Sequence, residues 1–161
     1  MRIASTTRST DGIEPGAPAN QNIKRMLADH ALGAANWSLV ESSETGMITQ
    51  IERAVRDKRW IVFLGWEPHL MNTKFRLTYL AGGDAYFGPN DGGATVNTVA
   101  RAGFADQCTN LARLFRQMTF TVDIENRMIA DMLQNKTPAA VAAQPALQGD
   151  PTLVAARLDG A

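Results

Sequence analysis

Trp60-Ile61-Val62-Phe63-Leu64-Gly65-Trp66 is a nearly continuous apolar run closed by a glycine and a second indole. Its length and β-branched content favour a strand over a helix. The lack of polar alternation predicts burial on both faces, as in a parallel sheet. Toward the N-terminus, Ser43 is placed to cap a helix over residues 44–58, with Met47, Ile48, Ile51, Ala54 and Val55 along one side. Before that helix, Trp37-Ser38-Leu39-Val40-Glu41-Ser42 alternates as a short strand. Residues 19–32 carry Ile23, Met26, Leu27 and Leu32 at helical spacing, with Gly33 as the stop. Asp11–Gly16 is turn-forming, and Ile3–Thr7 suits a short strand. The order strand, helix, strand, helix, strand is a βαβ pattern and implies an α/β fold with right-handed crossovers.

Toward the C-terminus, Phe75-Arg76-Leu77-Thr78-Tyr79-Leu80 alternates like a further strand, and so does Ala94–Val99. Between them the glycines from Gly82 to Gly93 give backbone freedom. Two helices follow, over residues 105–118 with Leu111, Leu114 and Phe115 on the apolar side, and over 123–135 with Ile124, Met128, Ile129 and Met132. From Thr137 the chain is rich in Ala, Pro and Gln, with Pro138, Pro145 and Pro151 as breakers or first helical residues.

Composition narrows the function classes. The 161 residues, 45% hydrophobic and 20% charged, are enough for one globular domain. Lys plus Arg and Asp plus Glu both number 16, so there is no basic footprint for nucleic acid, and a small molecule or a protein is the expected partner. Cys108, the only cysteine, excludes an intrachain disulfide and a multi-cysteine zinc site and reads as a small core residue. His30 and His69 lie far apart without a further ligand at metal spacing, so neither a metal nor a cofactor is expected. No apolar run approaches the ~20 residues of a membrane span. Met1–Arg8 lacks the apolar centre of a signal peptide, which suggests a processed or engineered fragment, or a cytoplasmic product. An enzyme would need a nucleophile with its base, paired acids or a metal. Ser42-Ser43-Glu44 and Glu67–His69 come nearest, and neither has a third partner.

Trp66 lies where the run of residues 60–66 leaves the sheet. Ligands of open α/β sheets bind outside the carboxyl ends of the strands. An indole face there attracts a quaternary ammonium, which offers no N–H to satisfy, at about 0.5–2 kcal/mol. A core tryptophan that only packs the domain is the competing reading on spacing alone.

Several motifs in order tip that balance. Val62–Asn72 resembles a signature of the substrate-binding proteins of choline, glycine betaine and carnitine ABC importers. So do Tyr79–Asp84 with Phe87-Gly88-Pro89-Asn90 and Gly92–Val96, Gly12–Gly16, and Leu39–Ser43. The resemblance runs over residues 12–133 and is nearest to the choline-binding type. It implies a periplasmic binding protein-like fold of type II, with the ligand between two lobes, its trimethylammonium group in an aromatic box and its polar end on polar groups. Trp66 then matches the box tryptophan of the second lobe, and the loop carrying Pro15, Gly16 and Ala17 matches the one that meets the polar end. Donors at a helix N-terminus suit a carboxylate there. The choline-binding type often has Asn after Pro-Gly. Ala17 stands there instead and cannot bond a choline hydroxyl, so a betaine-like carboxylate fits better. His69 either orients the loop, approaches a ligand carboxylate or serves as a structural hydrogen-bonding group. Tyr79, Tyr86 and Phe87 read as packing residues.

Family members are about twice this length, so the resemblance implies a C-terminal half. Residues 1–11 would be an extension, 12–90 the second lobe, 91–136 the return through a hinge to the first lobe, and 137–161 an Ala/Pro-rich tail. The partners implied are a quaternary amine and an ABC permease, in a periplasmic setting. The helices over 105–118 and 123–135 would then have apolar faces made for a sheet outside this chain. Exposed patches of several hundred Å² usually find a partner, which leads to the expectation of a homodimer or domain-swapped dimer. One box tryptophan cannot surround a cation, so weak or undetectable binding is expected of the isolated chain.

Overall fold

The structure, a computed structural model, describes residues 8–31, 36–148 and 151–160. The chain divides into two compact units, Met1–Gly65 with Thr78–Ala94, and Trp66–Leu77 with Thr95–Ala161. The parallel sheet expected from the sequence is present in the first unit.

The first unit is built on three parallel strands, β1 (Ser9–Asp11), β2 (Ser38–Val40) and β3 (Val62–Phe63), in the order β2-β1-β3. Thr10 pairs with Leu39 on one side and Val62 on the other. Helix α1 (Pro18–Ala28) connects β1 to β2, and α2 (Glu44–Arg56) connects β2 to β3. The chain leaves β1 toward one side and returns at β3 on the other, which makes the carboxyl ends of β1 and β3 a topological switch point.

Local chemistry explains α2. The Ser43 hydroxyl accepts from the Gly46 N–H, Glu44 lies in the first turn, and Arg53 and Arg56 lie in the last, each suited to its end of the dipole. Met47, Ile51 and Ala54 recur at helical spacing and are buried, and a Met or Ile so buried contributes about 1.5–3 kcal/mol. The helix stops where Lys58 takes φ +54°, with Lys58 N–H donating to Val55 O and Arg59 N–H to Ala54 O.

Several expectations change. Of residues 60–66 only Val62 and Phe63 join the ladder, both half-buried, and Trp60 is 64% exposed. Burial on both faces does not follow because, among the described residues, β3 is an edge strand with β1 as its one neighbour. The central strand, Ser9–Asp11, takes in Asp11, the first residue of the stretch read as a turn; Ile3–Thr7 lies outside the described residues. Helix α1 ends at Ala28, and His30 turns out of it at φ +51°; the expected stop, Gly33, is also outside the described residues. Neither Phe75–Leu80 nor Ala94–Val99 joins a sheet, because no strand among the described residues pairs with either. Two short helices, α4 (Asp84–Phe87) and α5 (Pro89–Gly92), fill the glycine-rich stretch and meet at Gly88, φ +100°. Helix α4 packs on α1, and the Tyr86 hydroxyl donates to Asp29 over 3.0 Å.

Asp11 ends β1 at the switch point, half-buried, and loss of water pushes its carboxyl above the usual range. With a raised folded-state pKa, its contribution to stability is full below the ordinary carboxylate value and is lost as pH rises through the folded one. Asp11→Asn is therefore expected to be at least as stable as the parent at neutral pH. The advantage should vanish on acidification below pH ~4. Urea midpoints measured across that range test this, and an advantage independent of pH would contradict it.

The second unit is helical: α3 (Leu70–Lys74), α6 (Phe104–Gln107), α7 (Thr109–Gln117), α8 (Val122–Gln134), α9 (Ala139–Ala142), α10 (Gln144–Gln148) and α11 (Pro151–Leu158). Helix α3 packs on α8, whose first turn is capped by the Thr121 hydroxyl accepting from Ile124 N–H. The single helix expected over 105–118 is broken at Cys108, φ −129°, which is half-buried rather than in a core. Leu111, Phe115, Met118, Phe120 and Val122 are all exposed.

Candidate ligand-binding site

At the carboxyl ends of the strands, the loop after β1 is shaped by a residue of α1. Asn20 is completely buried. Its amide nitrogen donates to Ile13 O (3.0 Å), Glu14 O (3.0 Å) and Glu41 Oε1 (3.1 Å), and its oxygen accepts from Ile13 N–H (3.2 Å). The loop after β2 is tied to the same place, with Ser42 N–H donating to Ile13 O. Asn20 thus holds the turn containing Pro15 and Gly16, both exposed, and Ala17, the half-buried residue just before α1. Gly16 has φ +89°, a conformation that favours glycine, and a Cβ there would meet nothing within 4 Å. The space above this turn is open.

The charges around the loop are settled within it. Hydrogen bonds from its own N–H and from that of Glu44 hold the Glu14 carboxyl below its usual range. Lys24, 2.9 Å away, does the same for Glu41, helped by Asn20 and the Gly16 N–H. That use of the Gly16 N–H leaves the first-turn donors of α1 as the ones suited to a ligand oxygen.

Trp66 and His69 belong to the second unit, on the segment between β3 and α3. Trp66 is half-buried; its carbonyl accepts from Asn72 Nδ2 at 2.9 Å, and its ring lies 4.6 Å from the His69 ring at 56°. His69 is buried and caps α3, its Nδ1 accepting from Met71 N–H at 3.0 Å. An accepting Nδ1 places the proton of the neutral ring on Nε2. The His69 N–H donates in turn to Oδ1 of Asn126 on α8, at 2.8 Å. Of the roles open to His69, this geometry serves loop orientation and structural bonding. The Glu67–Pro68 peptide between the two rings is cis.

The five residues singled out from the sequence therefore fall into two groups, Pro15, Gly16 and Ala17 in the first unit and Trp66 with His69 in the second. Sequence reasoning missed the two asparagines that position them. A signal exists for Asn20: it lies three residues before Ile23, on the buried side of α1, where a polar residue needs a reason. Asn126 interrupts the apolar side of α8 in the same way. The nearest catalytic candidates have structural uses. The Ser43 hydroxyl caps α2, Ser42 Oγ donates to the Ser43 and Gly12 carbonyls, and His69 caps α3. Among the described residues no three His, Cys, Asp or Glu side chains group to hold a metal.

A family model, the substrate-binding domain of ABC-type glycine betaine transport systems, matches residues 5–145. The chain is 28% identical over 149 residues to the glycine betaine/carnitine transport binding protein GbuC of Listeria monocytogenes serotype 1/2a (strain 10403S), covering 92% of this chain and 48% of that protein. It is 41% identical to an ABC-transporter choline-binding protein solved in complex with choline, with a TM-score of 0.69 over 94% of this chain and 53% of that one. Lactococcal OpuAC, solved closed with glycine betaine, is 24% identical with a TM-score of 0.71, over 99% of this chain and 63% of that one, and shares the fold. The chain spans about half the length of the curated relatives it matches.

Proposed function

We propose, because this chain belongs to the family of substrate-binding domains of ABC-type glycine betaine transport systems, that it supplies part of the binding site for a quaternary ammonium solute. The family is one of transport proteins rather than enzymes. The observation that carries the reading is Trp66, directly after Gly65 at the carboxyl end of β3, with its backbone held by Asn72 and its ring against His69. An indole fixed in this way is suited to act as one wall for a trimethylammonium group through cation–π attraction. In the first unit, Pro15, Gly16 and Ala17 shape the turn ahead of α1, and the first-turn N–H groups of Ala19 and Asn20 are donors that favour a carboxylate such as that of glycine betaine over the choline hydroxyl. The working partner is an ABC permease, and the working compartment is the extracytoplasmic one; among the described residues no helix is long and apolar enough to cross a membrane.

Magnitude limits what this chain does alone. One aromatic wall contributes about 0.5–2 kcal/mol, and a millimolar Kd needs about 4.1 kcal/mol. Titration of the chain with glycine betaine, choline and carnitine is therefore expected to show binding no tighter than millimolar. A ligand-dependent change in tryptophan emission that disappears in Trp66→Ala would support the reading. Micromolar affinity would overturn the single-wall estimate, and an emission change unaltered in Trp66→Ala would overturn the site.

A second reading is favoured by the exposed apolar residues Leu111, Phe115, Met118 and Phe120 of the second unit, beside the unpaired stretch bearing Val96 and Val99, exposed to 95% and 90%. It holds that the chain is a remnant that keeps the fold and self-associates through this surface. Light scattering is expected to give the mass of two chains, falling toward one in Val96→Lys/Phe115→Lys. The mass of a single chain for the parent at micromolar concentration would rule this reading out.

A further inference from the structure

The segment Thr95–Ala100 of the second unit is in no helix or strand, and every one of its residues is exposed. Among the described residues it gives and takes no backbone–backbone hydrogen bond. Val96 and Val99 are the most exposed large apolar side chains among those described. The segment forms one wall of an open groove of about 560 Å³. The facing wall comes from α6 and α7 and includes Phe104 and Phe115, whose rings stack with centroids 5.8 Å apart. A row of unpaired N–H and C=O groups beside apolar side chains is a template for another strand. Extended peptides are captured in this way, with affinity from main-chain bonds and specificity from pockets for alternate side chains.

We infer that Thr95–Ala100 is a docking edge, and that its occupant is a strand from the part of a family-length binding protein that this chain does not span. The chain matches 48% of the length of one relative and 53% of another, which leaves each of them a comparable stretch with no counterpart here. The choice of occupant rests on the quaternary-amine reading above. One aromatic wall holds a cation weakly, and a second polypeptide of the same family is a source of further contacts. A second copy of this chain, the occupant in the remnant reading, brings the same single wall. It also brings like charge. Arg101 and Arg116 line the groove with Asp106 as the one acid, and among the described residues no carboxylate pairs with either arginine. Two such edges laid together would concentrate positive charge, which opposes pairing.

The test mixes this chain with two polypeptides in turn: the parts of the choline-binding protein and of the Listeria binding protein that it does not match. Light scattering is expected to show a one-to-one complex at micromolar concentration with at least one of them. The amides of Val96 to Val99 should exchange about tenfold more slowly in that complex. Val96→Pro and Asn97→Pro remove N–H groups that point to opposite edges of an extended segment. One of the two is expected to weaken the complex about tenfold or more. Circular dichroism of the isolated chain should not change, because the segment has no ladder there to lose. Glycine betaine or choline should bind the complex about tenfold more tightly than the chain alone, or better. No complex with either polypeptide, a complex indifferent to both prolines, or a mixture holding only dimers of this chain overturns the docking edge. A proline-sensitive complex that binds neither ligand better supports the docking edge and overturns the quaternary-amine reading. Binding by the chain alone that is lost in Trp66→Ala, with no complex formed, does the reverse.

Discussion

Asn20→Ala is expected to unfold with a free energy about 3 kcal/mol below that of the parent chain. The side chain is completely buried and bridges three segments through four hydrogen bonds. Truncation strands the Ile13 N–H and takes one of two donors from each acceptor, since Ile13 O keeps Ser42 N–H, Glu14 O keeps Ala17 N–H and Glu41 Oε1 keeps Lys24. A stranded buried group costs about 1–3 kcal/mol, and the weakened acceptors and the lost packing of a fully buried side chain add to it. Water can reach the Glu14 and Glu41 side of the loop, so the total stays below the simple sum. Asn20→Asp is no rescue, because it keeps the acceptor for Ile13, removes both donors and sets a second carboxylate against Glu41. The same crowding appears from the opposite direction at Gly12, where a Cβ would stand 2.5 Å from Asn20 Oδ1 and 2.9 Å from Leu39 Cδ1. Urea unfolding followed by circular dichroism measures the difference. A loss under ~1 kcal/mol would mean that water replaces the amide fully and that Asn20 does not hold the turn.

Asn126→Ala is expected to cost about 2 kcal/mol, and the effect should be local. Asn126 Oδ1 is the acceptor for the buried His69 N–H at 2.8 Å, with Asn72 Nδ2 at a long 3.5 Å. Without it the residue that caps α3 and flanks Trp66 loses its anchor on α8. The His69 amide is then expected to exchange roughly thirtyfold faster with solvent, the factor that corresponds to ~2 kcal/mol. The amides of Met47 and Ile51 in the first unit should be unaffected. Hydrogen exchange read by NMR reports each site separately. Uniform acceleration through both units would instead mean global destabilisation, and Asn126 would lose its assignment as a positioning residue.

Neither asparagine was read from the sequence as important, while much around them was. The α2 helix was legible because its information is local: Ser43 caps it, and Met47, Ile51 and Ala54 share one side whatever they pack against. Trp66 was legible through its place after an apolar run and through the motifs around it, yet its ring contact with His69 was not. The strands expected at Phe75–Leu80 and Ala94–Val99 failed for the converse reason. Alternation reports that a segment suits a sheet and is silent on whether a partner strand exists. Ser9–Asp11 shows the other side of that rule, since three polar residues with no strand signature become the central strand because β2 and β3 offer ladders on both sides.

By itself, then, the amino-acid order determined helices α2 and α8, the parallel βαβ arrangement and the family, because capping, spacing and short motifs are properties of neighbouring residues. Tertiary structure alone decided that β3 is an edge strand, that Asn20 and Asn126 knit the candidate loops, and that Arg157 lies buried beside an apolar cavity. These depend on pairs such as His69 with Asn126 or Thr119 with Arg157, distant in the chain and adjacent only after folding. The energetic weight of a polar side chain is set by whether water can still reach it there.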